Sequence, residues 1–149
     1  MDDILKQFLI EAKKELEVQP FDFFPLTNAT TESSGVLPFF YLKWASTQHL
    51  LLKNDEISKV TASKNALTSK LISIREILGE QLLPAHFNSK GSAFTQKYYR
   101  PGWTYFYLTD FSNTFPEYDD LDCVTDTEIN YKRISIILED RFLKWQSKS

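Results

Sequence analysis

Cysteine is almost missing: Cys123 stands alone among 149 residues, which excludes an internal disulfide framework and a cysteine-rich zinc site built within one chain. Acidic neighbours surround it and offer nothing to activate a thiol, so a nucleophilic role is not expected. Glycine and proline are also few, at 4 and 6, too sparse for a linker-rich or disordered chain. The four glycines, Gly35, Gly79, Gly91 and Gly102, stand far apart, so neither the dinucleotide nor the nucleotide-triphosphate fingerprint is present and no cofactor is expected. No apolar run approaches the roughly 20 residues that span a bilayer. The opening Met1-Asp2-Asp3-Ile4-Leu5-Lys6 lacks the basic head and apolar middle of a secretory signal. The expectation is a cytoplasmic protein that does not enter the membrane.

What is there suits one folded domain over 1–149, with apolar residues at 42% and charged residues at 25%, both ordinary globular values. Apolar residues Ile4, Leu5, Phe8, Leu9, Ala12 and Leu16 recur at three and four and predict a first helix ending before Pro20. A turn-rich connection from Phe21 to Gly35 follows. The run Val36 to Trp44 has strand-like residue types, although Pro38 could equally open a helix. Ile57, Val60, Lys64, Leu67, Leu71, Ile74 and Leu78 step in heptad order and predict one long amphipathic helix ending at Gly79. Pro84 to Gly102 reads as irregular, and Trp103 to Phe111 as the best strand. A last helix, capped by Asp126, presents Tyr131, Ile134, Leu138, Phe142 and Trp145 on one face. These elements predict an α+β fold, predominantly helical with a small antiparallel sheet; the alternative is all-α.

Charge is segregated. From Pro101 to Tyr131 there is no Lys or Arg, while Asp110, Glu117, Asp119, Asp120, Asp122, Asp126 and Glu128 supply seven negative charges. Such a cluster attracts a cationic partner and speeds its encounter. With the aromatic anchors Phe115 and Tyr118 it forms the candidate partner-binding set: Phe115, Glu117, Tyr118, Asp119, Asp120, Asp122, Asp126 and Glu128. The competing reading is that Lys132, Arg133 or the basic middle of the chain folds over these acids and neutralises them.

Signs of chemistry are thin, and binding is expected rather than catalysis. His49 and His86 could act as acid and base in a metal-free ribonuclease, with Lys90, Lys97 and Arg100 steadying phosphate, but nothing in the sequence brings them together. Glu11-Ala12-Lys13 has the acid-x-lysine spacing of metal-dependent nucleases but lies on a helix, not after a metal-binding strand. Counting from Asp119 as first ligand, a calcium loop needs Gly and Glu where Val124 and Asn130 stand, so no metal site is expected. Lys90 to Tyr107 mixes cations with aromatic rings, yet the net charge of −3 speaks against nucleic acid. Three functions follow: a small inhibitor or immunity protein that neutralises a basic toxin or nuclease, a histidine-pair ribonuclease, or a structural module that dimerises through the 57–78 helix.

Overall fold

In the computed structural model, which describes residues 36–79, 82–99 and 103–147, Val36 to Trp44 is not a strand but the body of a helix, α1 (Val36–Thr47). Only Lys43 and Thr47 of its twelve residues escape burial. A helix apolar all round carries no 3.6-residue signal, which is why strand propensity prevailed in the sequence. Pro38 sits in its first turn, where a missing N–H costs nothing. Its aromatics point every way. Phe40 meets Tyr131 at 5.7 Å, Trp44 meets Phe94 at 5.7 Å and Phe142 at 5.5 Å, and Tyr41 meets Tyr99 at 4.9 Å and Tyr107 at 5.1 Å between ring centroids. Two of the buried hydroxyls are satisfied: Tyr41 shares a 2.8 Å hydrogen bond with Thr95 Oγ1, and Tyr107 donates to the Leu37 carbonyl. Each such ring contributes roughly 1.5–3 kcal/mol on burial, so α1 is the axis of the core.

The heptad stretch 57–78 is not one helix. It divides into α2 (Asn54–Ala62) and α3 (Leu67–Leu78), because the chain turns extended at Ser63 and Ala66. Ser63 closes α2 by directing both its backbone N–H and its hydroxyl to the Val60 carbonyl, at 3.2 and 2.8 Å. Lys64 is exposed within the break, while Ile57, Leu71, Ile74 and Leu78 enter this chain's own core. The apolar seam is therefore used internally, and the dimer through a 57–78 helix loses its geometric basis. Gly79 does end α3, at φ 94°, as its position predicted.

No sheet exists among the described residues; the sole extended pairing is one antiparallel bridge, Leu51 to Phe87. The α+β expectation is corrected to an all-helical fold of six α-helices among those residues. Trp103 to Phe111 fails as a strand because its second half is α5 (Tyr107–Thr114), with Tyr107 and Phe111 one turn apart facing the core. The irregular 84–102 stretch hides α4 (Ser89–Tyr98), started by Asn88, whose side chain accepts from Gly91 N–H at 2.8 Å and donates to the His49 carbonyl at 2.8 Å. The last helix, α6 (Glu128–Ser147), presents its core face as expected, burying Tyr131, Ile134, Leu138 and Phe142. Its cap differs: Thr127 Oγ1 accepts from Asn130 N–H at 3.2 Å, and Asp126 is engaged elsewhere. The expected helix over 4–16, the connection over 21–35 and the Glu11-Ala12-Lys13 motif lie outside the described residues. Among those residues no helix is long and apolar enough to cross a membrane.

Gly91 is where α4 meets the turn after α1. A Cβ there would lie 2.5 Å from the Leu50 carbonyl oxygen and 2.8 Å from Leu50 Cβ. In an open helix Gly→Ala stabilises by up to about 1 kcal/mol. Here Gly91→Ala is expected to destabilise by roughly 1–3 kcal/mol through overpacking, measured by urea denaturation. A raised unfolding midpoint would show that the two segments do not touch as described.

Candidate partner-binding surface

The acidic stretch lies over α5, the connection 115–127 and the start of α6, and much of its charge is met from within. Asp110 on α5 is largely buried; it accepts from Tyr98 Oη at 2.7 Å, Arg141 Nε at 2.9 Å and Arg141 Nη2 at 3.1 Å. The Arg141 guanidinium lies 3.7 Å over the Tyr105 ring. Burial first, then the bond to Asp110, pushes the Tyr98 hydroxyl well above the usual phenol range. Arg133, two turns earlier on α6, repeats the arrangement. It grips Glu117 with both Nη atoms, donates to the Thr114 carbonyl and stacks 4.7 Å from the Phe115 ring centre. Lys70 of α3 reaches Asp126 at 3.2 Å, and Lys43 of α1 reaches Glu128 at 3.3 Å.

The predicted set is thus split. Phe115 has no exposed surface and packs on Phe111 at 4.9 Å, so it is a core residue and not a contact for a partner. Glu117, Asp126 and Glu128 carry internal cations, the outcome the competing reading anticipated. Tyr118 is half-buried, with its hydroxyl accepting from Asn130 Nδ2 at 3.3 Å. Asp119 and Asp120 are exposed at the outer end of the connection. Asp122 falls in the short 3₁₀ turn Leu121–Cys123, and its side chain lies outside the described residues. Asp119 and Asp120 thus form a small exposed acidic tip on a connection pinned by Arg133, Asn130 and Lys70.

Each histidine has a local partner of its own. His49 follows the end of α1 in left-handed backbone at φ 56°, with Nδ1 3.4 Å from Asn54 Nδ2. His86 Nδ1 accepts the Leu83 backbone N–H at 2.9 Å, closing the turn Pro84–His86. Burial lowers its pKa below the usual imidazole value, and the accepted bond fixes the neutral ring with its proton on Nε2. That is a turn-closing histidine. No three His, Cys, Asp or Glu side chains converge as metal ligands among the described residues.

One surface escaped the sequence reading. On α6, Ile129, Ile136 and Leu143 are 75%, 67% and 55% exposed. They recur every seven residues, and so share the face turned away from the core. Beside Ile136 runs a groove of about 370 Å³ between α1 and α6, lined by Trp44, Thr47, Gln48, Tyr131, Ser135 and Glu139. The signal was in the sequence: once Tyr131, Ile134, Leu138 and Phe142 are assigned to the core, these three large residues are left on the opposite side.

Residues 24–125 match the model of a family described as "Domain of unknown function (DUF7832)". The match covers more than half of the chain, which belongs to this family. It includes α1 to α5 and stops before α6 begins. No curated protein and no solved structure matches the chain.

The Arg133 guanidinium holds the Glu117 carboxyl down at about 2. The group is depressed in the folded chain, so its contribution to stability is complete above the unfolded carboxyl pKa and is lost as pH falls from about 4.3 through 2. Carbon-detected NMR titration should place Glu117 near the lower limit, and Arg133→Met should return it to the ordinary glutamate range. Titration near that ordinary range in the parent protein would show that the pair is not formed in solution.

Proposed function

We propose that the protein is a non-catalytic binding module, a small cytoplasmic inhibitor of the immunity type. On this reading it neutralises a basic toxin or nuclease by presenting the acidic tip of the α5–α6 connection. One observation carries the reading: Asp119 and Asp120 are exposed on a connection whose Glu117, Tyr118 and Asp126 are each tied to α6 or α3. A loop ordered in advance loses less entropy on binding, and negative charge held in a fixed place steers a cationic partner. Exposure places the contact at Asp119 and Asp120, with the exposed edges of Glu117 and Tyr118 beside them. No arrangement of the described residues favours the ribonuclease alternative, because His86 is committed to closing its own turn.

Affinity capture from extracts of the source cells tests the reading. The parent protein should retain a basic protein at about 0.05 M salt and release most of it at about 0.5 M, where exposed charges are screened. Asp119→Lys with Asp120→Lys, both at exposed positions, should abolish retention while the far-ultraviolet circular dichroism of the helical fold is kept. Equal retention of the same proteins by the parent and the double variant would refute the assignment.

A further inference from the structure

We propose that the outward face of α6 is a self-association surface, on which two copies of this chain pack their last helices antiparallel about a two-fold axis near Ile136. The proposal goes beyond the inhibitor reading and does not rest on it, because Ile129, Ile136 and Leu143 lie on α6 and not on the acidic tip.

Three observations carry it. The first is the apolar seam. Ile129, Ile136 and Leu143 repeat every seven residues over about 21 Å of helix and are at least 55% exposed. Most large apolar side chains among the described residues lie in or against the core. A seven-residue seam of this kind is the contact pattern by which helices pair.

The second is self-complementarity. Ile129 and Leu143 lie equally far on either side of Ile136, so reversing the helix lays Ile129 on Leu143 and Ile136 on Ile136. A closed two-fold pair requires one patch to match its own reverse in this way.

The third is charge. Lys132 is exposed three residues after Ile129, and Glu139, half-buried and accepting from Gln48 Nε2 at 2.8 Å, stands three residues after Ile136, while Asp140 is already bridged to Lys144 at 3.0 Å and Arg141 at 3.3 Å. Antiparallel pairing sets Lys132 of each copy against Glu139 of the other, since both stand on the same flank of the seam. Parallel pairing would instead set lysine against lysine and carboxylates against carboxylates. The arrangement therefore favours a second, reversed copy as occupant. The groove lined by Trp44, Thr47 and Ser135 opens beside Ile136 and gives the partner's isoleucine room to enter.

A seam carried by one helix and the edge of α1 is small beside the roughly 800 Å² per partner of a standard interface. The dimer should accordingly dissociate in the micromolar range. Sedimentation equilibrium of the full chain from about 1 to about 500 µM, reaching either side of a micromolar constant, tests this. The expected result is a reversible monomer–dimer equilibrium. Ile136→Glu should shift the dissociation constant upward by at least about tenfold, equivalent to about 1.4 kcal/mol, with unchanged far-ultraviolet circular dichroism and melting temperature. Lys132→Glu should weaken the dimer as well, and combining it with Glu139→Lys should restore it, a rescue that a merely folding-related effect cannot produce. A strictly monomeric mass across the range overturns the proposal. So does a dimer that survives Ile136→Glu, or a charge-reversed Lys132→Glu, Glu139→Lys double variant that associates no more strongly than Lys132→Glu alone. Because Asp119 and Asp120 are unaltered throughout, loss of the dimer and loss of basic-partner capture are separate outcomes.

Discussion

Two arginines of α6 set the arrangement of the rest. Arg133 and Arg141 each take a carboxylate from the preceding part of the chain, Glu117 and Asp110, and each lies against an aromatic ring, Phe115 and Tyr105. A planar guanidinium satisfies both demands at once, where lysine would supply neither the fork nor the stacking face. The Arg141 site is the more enclosed, and there Tyr98 completes the set, so one carboxylate ties α4, α5 and α6 together. A buried ion pair need not outweigh an apolar replacement of the same shape. Its effect here is positional: α6 can seat against α5 in only one register without stranding a charge.

That register decides what the molecule shows to solvent. Turning Arg133, Ile134, Leu138 and Arg141 toward the body leaves Ile129, Ile136 and Leu143 outside. The same pairing draws Glu117 inward against α6 and leaves Asp119 and Asp120 at the tip of the connection. One acidic tip and one apolar seam thus arise from a single packing choice. They differ in chemistry, the first suited to a cationic surface and the second to a reversed copy of itself. On the basic side, Lys43 and Lys70 are absorbed by Glu128 and Asp126, and Lys43 also lies 4.4 Å from the Tyr131 ring centre, so cations remote in sequence meet part of the acidic stretch in space.

How legible this was differs from element to element. The core face of α6 followed from its spacing, because Tyr131, Ile134, Leu138 and Phe142 recur at three and four along it. α1 did not, because Phe39, Phe40, Tyr41 and Trp44 are buried in several directions and erase the period that identifies a helix. Trp103 to Phe111 misled for a related reason: aromatic residues favour strands on average, yet Tyr107 and Phe111 serve a short helix packed on α1 and α6. The break between α2 and α3 is made by Ser63 turning back on Val60, a local bond that a heptad count ignores. At the candidate site, the acidic stretch was visible, but which acids meet a cation depends on contacts far apart in sequence, such as Lys70 with Asp126. Phe115 was chosen as an anchor for its position beside the acids, and the core claimed it.

The most direct test of the account is a double-mutant cycle on Asp110 and Arg141, using Asp110→Ala, Arg141→Ala and the pair, with stability measured by urea denaturation. If the α6 arginines fix the register, the two substitutions should be coupled by about 1–3 kcal/mol. The double variant should then also lose the distinct near-ultraviolet signal of its packed tyrosines. Effects that add to within about 0.5 kcal/mol would mean that the two residues act independently, and that α6 is held by something else.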